Sequence, residues 1–373
     1  MTTTTITLQE QLLQFVPTFR ERAKQDTVFG QFPQQNIRDL IEAGYTKSPL
    51  SIIDGGQNLT ASELVHYQQI VASGDGPTAV AIGWHVSTLY AILRDATWPE
   101  KTKRYVIEEV KKGALLNYVL SERGAGSPTR NAGPQTTAKK VDGGYIINGH
   151  KSFATLAPAL DLFIISANCD GEEALFVVPK SENITIDTSA WDSVAMRGTA
   201  SSDVYLKDVF VEDHHFIKYV NIAHAVRNSP ASLLHIPACY IGIAQAARDE
   251  AFAFARAYVP RGRETAIIDA AHIQQKLGEI EWRLATATSH LAYGALLFDE
   301  ERPFEEVRRI LSSAKITATH YAIEVVDLAM RIVGASGLSE KSILYRYYLH
   351  VRAGLHNPPS DDEIYTYLTE TAQ

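Results

Sequence analysis

Residues 118–155 place polar groups at the ends of two short apolar runs. Tyr118-Val119-Leu120-Ser121 leads into the turn Glu122-Arg123-Gly124-Ala125-Gly126-Ser127. Gly144-Tyr145-Ile146-Ile147-Asn148-Gly149 leads into Lys151-Ser152-Phe153-Ala154-Thr155. Ser121, Ser127 and Thr155 offer hydroxyls and amides to a bound group, and Gly124 and Gly126 let the backbone approach it closely. Two histidines also carry chemistry. His85 lies in a stretch without formal charge, Thr78 to Leu93, and His356 lies in Leu355-His356-Asn357-Pro358-Pro359. Imidazole takes or gives a proton near neutral pH. A lone histidine on an apolar helix also suits a core position that needs only local hydrogen bonds. Asp361, Asp362 and Glu363 follow His356. As carboxylates they are proton acceptors, but Ser360-Asp361-Asp362-Glu363 is also a capping box for a last helix over Ile364–Leu368.

The elements that must position these groups change period twice. Thr7-Leu8-Gln9-Glu10 is a capping box that opens a first helix. Apolar residues at helical spacing predict helices over 34–44, 61–73, 77–96 and 98–113, with Pro77 suited to a first turn. From about 116 the period becomes two. Strands are expected at 162–166, 174–179, 184–186 and 203–206, besides the two runs above. Helices return over 229–258, 269–298 and 303–333, the last ending at Gly334. The fold class is therefore α+β. An N-terminal α-helical domain spans 1–115, a small antiparallel β-barrel domain 116–215, and a C-terminal four-helix bundle 216–373.

Composition narrows the partners. The chain has 373 residues, 45% hydrophobic and 21% charged, with net charge −8. No lysine or arginine block marks a nucleic-acid surface. No apolar run is long enough to span a membrane. Met1-Thr2-Thr3-Thr4-Thr5 lacks the basic start and apolar core of a signal peptide. Cys169 and Cys239 form neither a disulfide framework nor a metal motif, so a reducing, cytoplasmic setting is expected.

The ordered set in 118–155 resembles the flavin-binding strand signature of the acyl-CoA dehydrogenase family, with Phe153 where that family has Trp. Met196-Arg197-Gly198-Thr199-Ala200-Ser201 resembles the family as well. The helix–β–helix order extends the resemblance over almost the whole chain. It implies a flavin, FAD with FMN as the alternative. Tyr118, Leu120, Ser121, Gly126, Ser127, Phe153 and Thr155 would lie around it, with Thr155 at N5. Aromatics at 118 and 153 equally suit a barrel core. At the adenine end the family's Arg-x-x-Phe-Gly is reduced to Pro260-Arg261-Gly262-Arg263, and its glycine-rich strip to Arg331-Ile332-Val333-Gly334-Ala335-Ser336-Gly337. Arg261, Arg263 and Arg331 suit phosphate by their bidentate guanidinium, or solvated helix ends.

The resemblance also exposes a departure. The family's catalytic glutamate would fall on Pro358, or in its other placement near Ser232. Neither is a carboxylate. His356 and His85 instead resemble a related branch, the two-component flavin monooxygenases. Three functions follow: a monooxygenase using His85 and His356 with a flavin reductase; an acyl-CoA dehydrogenase using Asp361, Asp362 or Glu363 with an electron-transfer flavoprotein; or a flavin- or acyl-CoA-binding protein without turnover. The family also implies a homodimer or homotetramer acting on a small molecule or an acyl-CoA.

Overall fold

The structure is a computed structural model that describes residues 6–25, 30–124, 133–227, 229 and 231–372. Among them five helices come first: α1 (Leu8–Gln25), α2 (Gln34–Glu42), α3 (Ala61–Gly74), α4 (Gly76–Arg94) and α5 (Glu100–Lys111). The Thr7–Glu10 capping box forms as expected, with the Glu10 amide donating to Thr7 Oγ1 at 3.2 Å and the Thr7 amide to Glu10 Oε2 at 2.7 Å. Helix α4 starts at Asp75, whose carboxylate accepts from the Thr78 amide, with Pro77 in its first turn. Its uncharged length is buried on nearly every side, as a helix apolar all round must be.

Among the described residues eight strands follow: β1 (Leu116–Val119), β2 (Thr137–Val141), β3 (Gly144–Ala154), β4 (Leu162–Cys169), β5 (Glu172–Pro179), β6 (Ile184–Asp187), β7 (Ser202–Glu212) and β8 (Phe216–Tyr219). They form one sheet in the order β6-β7-β3-β2-β4-β5-β8, with β1 also on β4. Most pairs are antiparallel, but β4 is parallel both to β1, in register Leu116 to Leu162, and to β2. The two signature runs are thus not partners in one ladder. They meet instead at their ends, where the Ser152 amide donates to the Ser121 carbonyl at 2.9 Å and Lys151 Nζ lies 2.6 Å from Glu122 Oε1. Strand β8 carries the β region on to Tyr219.

The C-terminal helices are α6 (Ile222–Arg227), α7 (Ala231–Ala257), α8 (Ala271–Asp299), α9 (Phe304–Val333), α10 (Ile343–Arg352) and α11 (Asp361–Glu370). Long helices α7, α8 and α9 pack side by side, with α10 against α9 and the N-terminal α3 against α7. One hydrophobic core runs through all three regions, from Leu64 and Ile82 through Phe163 and Phe176 to Leu234 and Val325. Strand β1 is held against α4, so the strand ends, α4 and the loop before α11 converge. No described helix is long and apolar enough to cross a membrane.

Candidate functional site

The convergence encloses a cleft of about 1300 Å³, larger than most single-ligand pockets (roughly 300–1,000 Å³). Strand β1 and the residues after it supply Asn117, Tyr118, Leu120 and Ser121; the end of β3 supplies Ser152 and Phe153, followed by Thr155. Helix α4 contributes Trp84 and Thr88, and the loop before α11 contributes His356, Asn357 and Pro358. The fold therefore brings together every expected strand residue that lies within the described residues. Gly126 and Ser127 lie outside them.

Local backbone explains how Phe153 reaches the cleft. It has φ 57° and sits in a register break between β3 and β7, from Lys151 to Ala154. A left-handed residue turns the strand, so Phe153 is 61% exposed and meets Trp191 edge-on at 6.2 Å. It is a wall of the cleft rather than core. Tyr118 does both jobs, packing half-buried on the β1–β4 core while lining the cleft.

Three polar atoms in this wall are buried and have no hydrogen-bond partner among the described residues: Thr88 Oγ1, Asn117 Oδ1 and Ser152 Oγ. All three residues line the cleft. A buried polar atom left unpaired costs about 1–3 kcal/mol, so the wall is built for a polar ligand. Two hydroxyls, one carbonyl oxygen and a flanking aromatic fit the ring N–H and carbonyl groups of an isoalloxazine. Asn117 is fixed in orientation, because its Nδ2 donates to the Thr155 carbonyl at 3.1 Å. Thr155 Oγ1 is 2.8 Å from Ser201 Oγ, which is 2.8 Å from Thr199 Oγ1.

The cleft contains three acidic residues among those described, and each has a structural partner. Glu122 Oε1 is 2.6 Å from the fully buried Lys151 Nζ, and its carboxylate also accepts from Gln135 and Thr136. Burial pushes its carboxyl up, but Lys151 and these donors outweigh it and hold the group below its ordinary value. Asp95 accepts from Lys218 Nζ at 2.9 Å and from Thr97, and is likewise held low against burial. Glu363 accepts from the Ser360 amide at 2.8 Å as the N3 residue of the α11 capping box.

The remaining expected acids lie elsewhere. Asp361 is bound to Lys315 Nζ at 2.8 Å and to His320 Nε2 at 2.7 Å, outside the cleft lining. Burial raises its carboxyl, but the Lys315 and His320 bonds prevail and lower it. Asp362 is exposed on the first turn of α11. Pro358 and Ser232, where the family's carboxylate would sit, both line the cleft.

His85 corrects an expectation. It does not line the cleft. Its Nε2 donates to the Thr46 carbonyl at 2.9 Å, and its Nδ1 accepts from the Leu116 amide at 3.0 Å. Complete burial pushes its pKa down to about 4, so it stays neutral and pins β1 to α4. Both nitrogens are spent on backbone, which leaves none for proton transfer. His356, by contrast, lies in the lining beside Asn357, whose Oδ1 accepts from the buried Tyr240 hydroxyl. Arg261 and Arg263 are exposed in the turn after α7, and Arg331 is exposed in the last turn of α9; none lines this cleft. Among the described residues no group of His, Cys, Asp and Glu is arranged for a metal ion.

Sequence reasoning missed Thr88, Asn117, Ser152, Ser201, Asn357 and Tyr240. Thr88 was visible as a polar residue on a charge-free helix, and Ser201 closes the Met196–Ser201 strip. Tyr240 gave no signal, since an aromatic in a long apolar helix reads as core.

The family model for the acyl-CoA dehydrogenase middle domain matches residues 117–209, and that for the C-terminal domain matches 234–355. The YdbM protein of Bacillus subtilis, named for the acyl-CoA dehydrogenases, is 38% identical over 350 residues, covering 93% of this chain and 91% of its own. Butyryl-CoA dehydrogenase from Megasphaera elsdenii has a similar fold, with TM-score 0.84 at 19% identity over 100% of both chains. FMN-bound TdsC from Paenibacillus has TM-score 0.85 at 22% identity, over 98% of this chain and 96% of that one. The chain belongs to the acyl-CoA dehydrogenase family of flavin-dependent oxidoreductases.

Proposed function

We propose that this chain is a flavin-dependent monooxygenase of the family, taking reduced flavin from a separate reductase and oxidising a small molecule with oxygen. The observation that supports this most is the state of the cleft carboxylates. Glu122, Asp95 and Glu363 are each engaged by a lysine, a hydroxyl or a helix cap, while His356 lies in the lining. Desaturating an acyl-CoA requires a carboxylate within reach of an acidic carbon. Proton transfer to or from a phenol, enol or oxygen-derived group near neutral pH suits an imidazole better.

A bound flavin supplies the oxygen-activating, two-electron chemistry. The chain's own residues bind and orient it: Tyr118, Leu120, Ser121 and Phe153 as walls, and Thr88, Asn117, Ser152 and Thr155 as polar partners. His356 moves the proton, and Asn357, fixed by Tyr240, presents its amide beside it. Arg261, Arg263 and Arg331 lie away from this cleft, as expected if they serve the far end of an FAD held between subunits of a homodimer or homotetramer. The exposed Trp282, Tyr293 and Leu296 on one face of α8 suit such self-association.

Reduced FMN or FAD and oxygen, supplied with a panel of aromatic and heterocyclic substrates, should give hydroxylated product that His356→Ala loses by about 10²-fold or more. Full activity in His356→Ala would remove the assigned proton carrier. A second reading keeps one specific observation: Glu363 lines the cleft. If it leaves its cap to act as a displaced base, the chain is an acyl-CoA dehydrogenase working with an electron-transfer flavoprotein. Acyl-CoA turnover abolished by Glu363→Gln would establish that reading. Ligand binding without turnover in either assay would mark a binding protein.

A further inference from the structure

Three hydroxyls connect the cleft wall to one backbone carbonyl. Thr155 Oγ1 and Ser201 Oγ are 2.8 Å apart, Ser201 Oγ and Thr199 Oγ1 are 2.8 Å apart, and Thr199 Oγ1 donates to the Met196 carbonyl at 2.8 Å. Thr155 and Ser201 line the cleft, and all three side chains are buried.

Each hydroxyl has one proton, so the terminal carbonyl dictates the direction of the chain. Because Thr199 donates to Met196, it must accept from Ser201. Ser201 must then accept from Thr155. The Thr155 proton is used inward, which leaves an oxygen lone pair as what Thr155 presents to the cleft. We propose that Thr199 and Ser201, anchored on the Met196 carbonyl, set Thr155 as a hydrogen-bond acceptor toward a bound flavin and thereby favour its reduced form. This rests on the flavin reading above and assigns Thr199 and Ser201 as positioning residues.

With N5 of a bound flavin facing Thr155, reduction would add two electrons from the reductant and a proton at N5. The reduced ring has an N5–H to donate, and the chain accepts it as it stands. The oxidised ring has an N5 lone pair and needs a donor. The whole chain then reverses by rotation about three C–O bonds, with no proton gained or lost, and the Met196 carbonyl gives up its hydroxyl partner. The reduced state keeps one more hydrogen bond than the oxidised state.

The backbone holds this chain at a cost. Among the described residues with positive φ that are not glycine are Phe153 (57°) and Leu156 (70°) around Thr155, and Met196 (54°) and Ala200 (45°) around Thr199. Such conformations persist only where surrounding contacts fix them, and they gather at functional sites. Here the Leu156 amide donates to the Thr199 carbonyl at 3.0 Å, which ties the two strips together. The Met196 amide donates to His350 Nδ1 at 3.2 Å. Gly198 packs so closely that a Cβ there would lie 2.9 Å from Pro77 Cβ.

The test is the midpoint potential of the flavin-loaded protein, from reductive titration against an indicator dye. Losing one net hydrogen bond in Thr199→Val should lower the reduced-to-oxidised ratio about fivefold at a fixed potential, or about 20 mV for two electrons. Thr199→Ser should restore it, since a serine keeps the hydroxyl. If Thr199→Val does not retain flavin, Ser201→Ala is read in its place and should shift the potential in the same direction. An unmoved or raised potential in the loaded variant overturns the proposal. A wild-type chain that binds no flavin overturns the flavin reading with it, whereas an unmoved potential in loaded protein overturns this inference alone.

Discussion

Lys151→Met removes the ammonium paired with the cleft residue Glu122. Lys151 is fully buried, with Nζ 2.6 Å from Glu122 Oε1 and 3.0 Å from Ser166 Oγ. Burial outweighs the opposing pull of Glu122 and leaves the ammonium lowered to about 8. Breaking a buried pair by deleting one partner costs about 3–5 kcal/mol. The lower end applies here, because Glu122 keeps donors from Gln135 and Thr136 at 2.6, 3.1 and 2.7 Å. Glu122→Gln should cost at least as much, since it leaves Lys151 with only a serine hydroxyl. The double variant leaves no unpaired charge, so it should cost about 2 kcal/mol less than the two singles together. Denaturant unfolding of all four proteins, each with the same flavin content, gives the coupling energy. Single costs that add to within about 0.5 kcal/mol would refute the pairing argument.

His85→Leu orphans the Thr46 carbonyl and the Leu116 amide, so stability should fall by about 2–6 kcal/mol, at about 1–3 kcal/mol per orphaned group. The wild-type His85 contribution has a defined pH sign. Its folded pKa is lowered to about 4 from 6.5, so the contribution is complete above 6.5 and lost as pH falls toward 4. That loss reaches about 3 kcal/mol, and unfolding curves from neutral to acid pH should be flatter for His85→Leu. Asp361→Asn should destabilise through the buried Lys315 while leaving the pH–rate profile in place, measured by melting and steady-state kinetics; loss of turnover in a stable, folded Asp361→Asn would restore it as a base. Its folded pKa is depressed, so the Asp361 contribution is present above the unfolded carboxylate value and disappears as pH falls through the folded one. Asn117→Leu should weaken flavin binding about tenfold, roughly 1.4 kcal/mol, read by fluorescence titration; unchanged affinity would remove Asn117 from the flavin wall.

The parts of the fold with strong local signals were legible in the sequence. Thr7 with Glu10, Pro77, and Ser360 with Glu363 each mark a helix start that the structure contains. Strand β2 was missed because only Ala138 faces inward, while Lys139 and Lys140 remove the alternation. Strand β8 is four residues long and follows a helical turn, too short for a periodic pattern. The parallel pairing of β1 with β4 was out of reach, because alternation shows which face is buried and not which strand lies alongside.

In the site, the strand residues were legible as a motif, but the two histidines paired as proton carriers have opposite fates. The difference is set by tertiary neighbours: Thr46 and Leu116 consume His85, while the turn before Pro358 places His356 in the cleft. The hydroxyl chain from Thr155 to Met196 is framed by four left-handed residues, Phe153, Leu156, Met196 and Ala200, none of them glycine.

The most direct test of the reaction assignment is an anaerobic titration of the flavin-loaded protein with acyl-CoAs of graded length, following the oxidised flavin band. A cleft whose carboxylates are all engaged predicts that no acyl-CoA bleaches the flavin, while the same preparation, once reduced and given oxygen, transfers an oxygen atom to an aromatic substrate. Stoichiometric bleaching by one acyl-CoA, abolished in Glu363→Gln, would contradict the monooxygenase assignment and make this chain a dehydrogenase with a displaced base.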